Sequence, residues 1–205
     1  MIQINLRQKF DLEMLLTGYF TPLDTYLNKA DYDNVVENMR LSDGTLWAMP
    51  INLDISAKLG DALKKEMEAG KQPELAIRDE FYNLLAVMKV DDLWKPDREL
   101  EAKKCFDPKW ETESNGVLDP EHPAIDYLLN QSGDYYVSGP LHGVQRPHMH
   151  DYHHLRKTPA QLRAEFKARG YKKIVAFQTR NPMHRAHIEL ARRAGKELNA
   201  MVHIN

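Results

Sequence analysis

The side chains best suited to chemistry lie close together late in the chain. They belong to one ten-residue segment, Gln178-Thr179-Arg180-Asn181-Pro182-Met183-His184-Arg185-Ala186-His187. Arg180 has a planar guanidinium that can contact two oxygens of a tetrahedral oxyanion and that keeps its charge where water is excluded. His184 and His187 are three residues apart, which places both imidazoles on one face of a helix. The segment therefore predicts a binding site for a phosphate or sulfate group.

Two secondary-structure elements are expected to position this segment. The apolar run from Lys172 to Phe177 predicts a short strand that is buried on both faces, and a helix is predicted from Pro182 to about Leu198. Ligands of open α/β sheets bind beyond the carboxyl ends of the strands. Asn181 is expected to cap the helix, with Pro182 at its first position, so that unpaired backbone N–H groups face the anion.

The same α/β unit is expected to contain an earlier helix and a later strand. Thr158, Pro159 and Gln161 have the spacing of a capping box with a proline at the first helical position. Gly170 suits the end of that helix. Residues 200–204 predict the next strand, so we expect only the beginning of a sheet in this part of the chain.

The preceding part of the chain, from about residue 15 to residue 144, predicts a mixed, β-rich domain. The Asp43-Gly44 pair, which lies between two runs with strand character, is typical of a hairpin turn and would supply its positive φ angles. Residues 84–90 predict a strand, and residues 97–106 and 123–130 predict short helices. The expected fold class is α+β, with a β-rich domain followed by the first βα unit of a Rossmann-like α/β domain.

The composition excludes several classes of function. The 205 residues contain 28 Lys and Arg against 30 Asp and Glu, a formal charge of -2, so no broad basic surface for nucleic acid is expected. No apolar run approaches the roughly 18 residues that span a bilayer. The single Cys105 cannot form an intramolecular disulfide, and the first residues lack the pattern of a signal peptide. We expect a cytoplasmic protein with neither a nucleic-acid nor a membrane partner.

Simpler interpretations of the site residues stay open at the level of sequence. His187 lies beside an apolar helical stripe that includes Leu190 and Leu198, so a core histidine with a satisfied nitrogen is an equal alternative. Arg180 alone is more often part of a surface ion pair than of a ligand site. The combination of strand, turn and paired histidines is more specific, because each element places the next one at the same anion site.

A separate group of histidines offers a metal-binding alternative. His148, His150, His153 and His154 are close in sequence, and imidazoles are common ligands of Zn²⁺. Their polar surroundings, with proline and aspartate, are more typical of a solvated loop. We therefore predict no metal site.

The ten-residue segment resembles the signature of the ATP sulfurylase (sulfate adenylyltransferase) family. The resemblance extends to five further segments: Leu16–Leu23, Glu37–Leu41, Asp43–Trp47, Leu100–Lys104 and Ser132–Val137. It implies a PUA-like N-terminal domain, residues 1–168, and the incomplete start of a catalytic nucleotidyltransferase domain, residues 169–205. It also implies the reaction of ATP with sulfate to give adenylyl sulfate and pyrophosphate, a step of sulfate assimilation.

The resemblance further implies roles for the site residues. The catalytic residues are expected to be Thr179, Arg180, Asn181, His184 and His187. The residues that bind ATP and sulfate are expected to be Gln178, Thr179, Arg180 and Asn181. The arginine would hold sulfate, the rest of the turn would contact sulfate and the α-phosphate, and the two histidines would stabilise the phosphate chain and the leaving pyrophosphate. Mg²⁺ is expected to accompany ATP, and family members are often homo-oligomers.

Two departures from the family pattern affect these expectations. Ile188 stands where the family usually has an acidic residue, at a position predicted to point away from the site. Two later family segments, His-Pro-Val-Val-Gly and Gly-Arg-Asp-His, are absent here, so the 205 residues alone are expected to be inactive. The strand from Lys173 to Phe177 would then lack a sheet neighbour and favour self-association. The alternative function is a non-catalytic PUA-like binding or assembly module.

Overall fold

The computed structural model describes residues 1–106, 118–148 and 151–205. The chain forms two compact units, Met1–Met149 and His150–Asn205. The helix that begins at Pro159 belongs to the second unit, whereas the boundary predicted after residue 168 assigns it to the first domain. That domain boundary stays a prediction. No helix among the described residues is long and apolar enough to cross a membrane.

The first unit contains two small sheets packed with helices. Its described strands are β1 (Ile2–Gln3), β2 (Leu53–Ile55), β3 (Glu74–Arg78), β4 (Leu84–Lys89), β5 (Asp92–Trp94), β6 (Tyr135–Ser138) and β7 (Leu141–Gly143). Its described helices are α1 (Leu6–Thr17), α2 (Lys29–Asn38), α3 (Ala57–Glu68), α4 (Arg98–Phe106) and α5 (Pro123–Asp126), the last continued by a π-helical turn, Tyr127–Gln131. The strand predicted at 84–90 and the helices predicted at 97–106 and 123–130 are thereby confirmed.

The larger sheet has the strand order β1-β3-β4-β7, with β1 parallel to β3 and the other pairs antiparallel. The smaller sheet has the order β2-β6-β5 and is antiparallel. Side chains from both sheets and from α1 and α3 form one apolar core, in which Leu12, Leu53 and Ile77 are completely buried. Each such side chain contributes about 1.5–3 kcal/mol by leaving water.

A second core joins α2 and α4 to the smaller sheet. The rings of Tyr32, Trp94 and Tyr136 pack with centroids 5.5 to 5.9 Å apart. Ala102 of α4 is completely buried in the same cluster. This aromatic cluster fixes the face of α4 that also carries a buried carboxyl, Glu101.

The predicted hairpin at Asp43-Gly44 is present in a short form. Arg40 and Leu46 make a single antiparallel bridge, and the Gly44 N–H donates to the Leu41 carbonyl across 2.9 Å. Gly44 has a φ of 88°, whereas Asp43 does not have a positive φ. The expectation of positive angles at both residues is therefore wrong for Asp43, because one left-handed glycine is enough to close this turn.

The second unit contains α6 (Pro159–Ala168), β8 (Ile174–Phe177), α7 (Arg185–Leu198) and β9 (Met201–Ile204). The predicted capping box of α6 is confirmed. The Thr158 side chain accepts a hydrogen bond from the Gln161 N–H, and the Gln161 side chain accepts one from the Thr158 N–H. Gly170 follows the helix with a φ of 72°, as its predicted place at the helix end requires.

Strands β8 and β9 pair in parallel, with Val175 opposite Val202. The expectation that β8 lacks a sheet neighbour is therefore wrong, since β9 supplies one. Successive residues of a strand point to opposite faces of the sheet. The Phe166 ring of α6 contacts His203 at 5.5 Å between centroids, whereas α7 lies against Val202 through Gly195. Helices α6 and α7 consequently cover opposite faces of the two strands.

Strand β8 is less buried than the sequence predicts. Ile174, Val175 and Phe177 are half-buried and Ala176 is exposed. The prediction of burial on both faces is wrong, because β8 has one neighbouring strand in the described chain rather than a strand on each side.

Candidate functional site

Helix α7 begins later than the sequence predicts. His184 is its N-cap residue, with φ of -100° and ψ of 173°, and Arg185 is the first helical residue. The Thr179 N–H donates a hydrogen bond to the carbonyl oxygen of the residue that follows β9, at 2.9 Å. The Thr179 hydroxyl accepts a hydrogen bond from the Asn181 N–H, at 3.1 Å. These bonds hold Asn181 in a turn. The predicted cap at Asn181 and the predicted helix start at Pro182 are therefore wrong.

The N-terminus of α7 is open. The side chain of His184 makes no capping hydrogen bond, and Arg185 and Ala186 are exposed. The first N–H groups of a helix lack intrahelical partners, and the helix dipole places partial positive charge at this end. The turn that follows His184 can therefore accept an anion, three residues later than predicted.

The two histidines of the segment lie against each other. Their ring centroids are 3.8 Å apart, and the ring planes are inclined by 28°. His184 is exposed, whereas His187 is half-buried beside the ring of Phe177, at 5.6 Å between centroids. The Nδ1 atom of His187 is buried, and no described residue forms a hydrogen bond with it. His187 therefore differs from the core histidine with a satisfied nitrogen that the sequence left open.

The remaining site residues lie in the turn between β8 and α7. Gln178, Arg180 and Asn181 are exposed, and Thr179 is half-buried. Among the residues that the structure describes, Arg180 is not part of an ion pair. Its guanidinium is therefore available to a ligand, and the surface ion pair considered from sequence is not formed within the described chain.

The two units have net charges of opposite sign, although the net charge of the whole chain is close to zero. Residues 150–205 contain 12 Lys and Arg against 4 Asp and Glu, whereas residues 1–149 contain 16 against 26. In the second unit, Glu189 pairs with Arg192 and Arg193, whose hydrogen bonds lower the pKa of this carboxyl to about 2. The second unit still has a large excess of positive charge, which favours anionic ligands.

The metal-binding alternative receives no support from the described residues. Within 1–106, 118–148 and 151–205, no group of three or more His, Cys, Asp or Glu side chains could hold a metal ion. One of the four histidines considered from sequence, His150, lies outside the described residues.

The aromatic neighbour of the histidine pair was not predicted from the sequence. Phe177 is the last residue of β8 and points to the same side as Val175, which is the side covered by α7. The alternation of the strand residues is the signal that identifies this contact. If both faces of the strand are assumed to be buried, the alternation does not show which residues face α7.

Comparison with known proteins matches both units. Residues 1–146 match a PUA-like domain family, and residues 153–205 match the ATP-sulfurylase family. A sulfate adenylyltransferase of Saccharomyces cerevisiae is 47% identical over 199 residues, which is 97% of this chain and 36% of that protein. A sulfate adenylyltransferase of Yarrowia lipolytica is 45% identical over 205 residues, or 98% of this chain and 33% of that protein. The chain belongs to the ATP-sulfurylase family.

The chain spans about a third of the length of these ATP-sulfurylase relatives. A solved structure, a hexameric APS kinase from Thiobacillus denitrificans, is 29% identical with a TM-score of 0.69, over 99% of this chain and 33% of that one. The segment from Gln178 to His187 lies in the part that matches the ATP-sulfurylase family. The predicted family and the predicted α+β class with a PUA-like first domain are confirmed.

Proposed function

We propose that the segment Gln178–His187 binds sulfate and the phosphates of ATP during transfer of an adenylyl group from ATP to sulfate. The products are adenylyl sulfate and pyrophosphate. The observation that carries this proposal is the stacked pair of His184 and His187 at the open N-terminus of α7. The relatives named sulfate adenylyltransferase, at 45–47% identity, support the same reaction.

In this reaction a sulfate oxygen attacks the α-phosphorus of ATP in line with the bond to the leaving group. An oxygen–phosphorus bond to sulfate forms as the bond between the α-phosphorus and the bridging oxygen breaks, and pyrophosphate takes the electron pair. The protein's task is to position anions and to stabilise charge. Arg180 holds two oxygens of sulfate, while Gln178 and the turn formed by Thr179 and Asn181 contact sulfate and the α-phosphate.

His184 and His187 act on the phosphate chain and on the leaving pyrophosphate. Negative charge accumulates on pyrophosphate as the bond breaks, so donors that are already fixed there stabilise the transition state more than the bound substrate. Stacking fixes the two ring planes, and the N–H groups of the first turn of α7 add further donors.

ATP enters this reaction together with Mg²⁺, as part of the substrate. Mg²⁺ commonly bridges phosphate oxygens and keeps several of its waters, so it needs few protein ligands. The exposed side chains of Gln178 and Asn181 provide amide carbonyl oxygens, which are suitable ligands for Mg²⁺.

The 205 residues by themselves are proposed to lack turnover. Two strands and the helix between them surround the site in the second unit, whereas the relatives are about three times as long. A homo-oligomer in the cytoplasm is the proposed setting. The similar APS kinase is described as hexameric, which supports the proposal of an oligomer. The single cysteine, Cys105, is consistent with a reducing compartment.

The experiment that tests the site is an NMR titration of the 205-residue chain with Mg²⁺-ATP, sulfate and pyrophosphate. The imidazole C–H resonances of His184 and His187 should shift, while that of His142, exposed on β7, should not. Arg180→Ala should weaken the response to sulfate, whereas Arg192→Ala, which removes a charge paired with a glutamate, should not. No shift with any of the three ligands would contradict the proposed site.

Pyrophosphate release should be measured on the same sample. Sulfate-dependent release by the 205-residue chain would show that the unit with two strands is sufficient for turnover, without removing the site. The absence of release together with the histidine shifts is the expected result.

A second candidate function is a non-catalytic binding module, which the PUA-like match of residues 1–146 favours. The charge of residues 1–149, 16 Lys and Arg against 26 Asp and Glu, disfavours a polyanionic partner. A salt-sensitive shift of the chain on mixing with RNA would favour this candidate over the enzyme.

A further inference from the structure

The first unit contains a cavity of about 460 Å³ that the proposed adenylyl transfer does not use. One wall is apolar and is formed by Met49, Ile51, Phe106, Pro123 and Leu128. These residues come from α4, from α5 with its π-helical turn, and from the segment before β2. The volume and the apolar wall suit the body of a small organic molecule.

The polar part of the cavity contains two acceptors that are short of donors. Glu101 is 5% exposed, and its Oε2 accepts from the hydroxyls of Tyr32 and Tyr136, each at 2.9 Å. Its Oε1 receives no hydrogen bond from a described side chain. Asn52 is 6% exposed, and its buried Oδ1 has no partner among the described residues. A buried acceptor without a donor is costly, so Asn52 Oδ1 calls for a donor. Oε1 of Glu101, which takes no part in the two tyrosine hydrogen bonds, can accept a further donor from the cavity.

Arg7, a cation that lines the cavity, already has hydrogen-bond partners. Arg7 donates to Asp11 at 2.8 Å and to Asp54 at 2.6 Å, and its guanidinium lies 4.8 Å from the ring centroid of Tyr127. Asp54 also accepts from the Gly133 N–H at 2.8 Å. Among the described residues that line it, the cavity therefore has more acceptors than donors and no uncommitted cation, which disfavours an anionic ligand.

We propose that this cavity binds a small organic amine. The ammonium group donates to Glu101 and Asn52, and the apolar body lies against Ile51, Phe106 and Leu128. Burial raises the pKa of the Glu101 carboxyl, although the hydroxyls of Tyr136 and Tyr32 oppose the shift. A bound ammonium would restore the ionised form by placing a positive charge beside it. The site lies within the first unit and is independent of adenylyl transfer.

The test uses phenethylamine as the probe and 3-phenylpropanoate as the matched anion, each titrated into the 205-residue chain by calorimetry. Phenethylamine should bind and the anion should not. Glu101→Gln should lower the affinity for phenethylamine about tenfold or more, because a charge-assisted hydrogen bond is lost. Glu99→Gln makes the same change on the exposed side of α4 and should leave the affinity unchanged.

A second variant covers the case in which Glu101→Gln does not fold. Ala124 lies at the cavity and is half-buried, so Ala124→Leu fills space without removing a core group. It should abolish phenethylamine binding while retaining the native circular dichroism spectrum. Failure of phenethylamine to bind the native chain, equal binding of the anion, or binding that is unchanged in a folded Ala124→Leu chain would each overturn the proposal.

Discussion

The imidazole rings of His184 and His187 stack at 3.8 Å between centroids, so the placement of each ring depends on the other. His187 is in turn held beside Phe177, whereas His184 is exposed. The half-buried ring therefore acts as the support on which the exposed ring rests. A change at either position alters both, and their effects on phosphate binding should not be independent.

Replacement of the two histidines should show coupling. His184→Ala and His187→Ala should each weaken pyrophosphate binding, and the double variant should lose less than the sum of the two by about 0.5–3 kcal/mol. Calorimetric titration of the four chains measures this coupling. His142→Ala is the control, since His142 is exposed on β7. Additive losses would show that the two rings contact the anion separately.

Arg180→Lys should impair the use of sulfate severely, because a point charge does not reproduce a two-point contact with a tetrahedral oxyanion. In a chain extended to the length of the relatives, kcat/KM for sulfate should fall about hundredfold or more, as for loss of a donor to a developing charge. Steady-state pyrophosphate release measures it. Arg192→Lys, at an arginine paired with Glu189, should change little. Near-normal turnover of Arg180→Lys would remove Arg180 from the sulfate role.

Gly195→Ala should destabilise the second unit. Alanine is favoured over glycine in a helix by about 1 kcal/mol. A Cβ at this position, however, would lie 2.7 Å from Cγ2 of Val202 and 3.2 Å from the carbonyl oxygen of Ala200. Overpacking of this kind costs about 1–3 kcal/mol, which should outweigh the gain in helix propensity. Hydrogen exchange of the α7 amides measures the outcome.

Removal of the Val202 side chain should reverse the effect of Gly195→Ala on the exchange rate of the α7 amides. In a Val202→Ala background the closest clash is gone, so adding Gly195→Ala should slow exchange of the α7 amides instead of accelerating it. Acceleration in both backgrounds would indicate that the carbonyl of Ala200, and not Val202, sets the distance of α7 from β9.

Glu101→Gln should change the pH dependence of stability. Burial raises the pKa of this carboxyl in the folded chain. A raised carboxyl pKa gives a contribution to stability that is complete below the pKa of the unfolded chain and is lost as pH rises through the folded value. The glutamine side chain does not titrate, so the variant lacks this loss of stability. The free energy of unfolding of Glu101→Gln, relative to the native chain, should therefore rise with pH across this range.

Urea denaturation at a series of pH values checks this expectation. Among the described residues, the charged and titratable groups that interact with Glu101 include Tyr32 of α2, Tyr136 of β6, Arg7 of α1, Asp54 of β2 and Cys105 of α4, and all are unchanged in the variant. Glu99→Gln, on the same helix but exposed, should show no comparable trend. A difference between Glu101→Gln and the native chain that is constant with pH would show that the carboxyl keeps its ordinary pKa in the fold.

Thr158→Ala should loosen the start of α6. The hydroxyl of Thr158 accepts the N–H of Gln161 at 3.2 Å, and loss of such a cap costs about 1 kcal/mol. Hydrogen exchange of the first-turn amides should accelerate accordingly. Lys167→Ala, at an exposed position of the same helix, serves as the control. Equal exchange in both variants would mean that Pro159 alone fixes the helix start.

Features encoded by neighbouring residues were predictable from the sequence. The capping box at Thr158, the turn at Gly44 and the strand at β4 each depend on a few adjacent residues. The start of α7 was not predictable in this way, because the hydroxyl of Thr179 accepts the Asn181 N–H and holds Asn181 in a turn that precedes the helix. Burial of β8 was overestimated because apolar residues in a run do not reveal how many strands will flank them.

The candidate site was predictable as a set of residues and less so as an arrangement. The rings of His184 and His187 lie together, as predicted, although His184 is the N-cap residue of α7 and does not lie on a helical face. The role of Phe177 depends on which strand face α7 covers. The cavity of the first unit had no sequence signal, since Asn52 and Glu101 are brought together only by the pairing of β2 with β6 and the packing of α4.

The pairing of β1 with β3 and of β4 with β7 has a consequence for synthesis of the chain. Ile2 pairs with Ile77, and Met88 pairs with Leu141, so the larger sheet closes only after nearly the whole first unit has left the ribosome. At about 5–20 residues per second this takes on the order of ten seconds. During that time the apolar face of α1 is available to chaperones. The β8–β9 pair, in contrast, needs only the residues from Ile174 to Ile204.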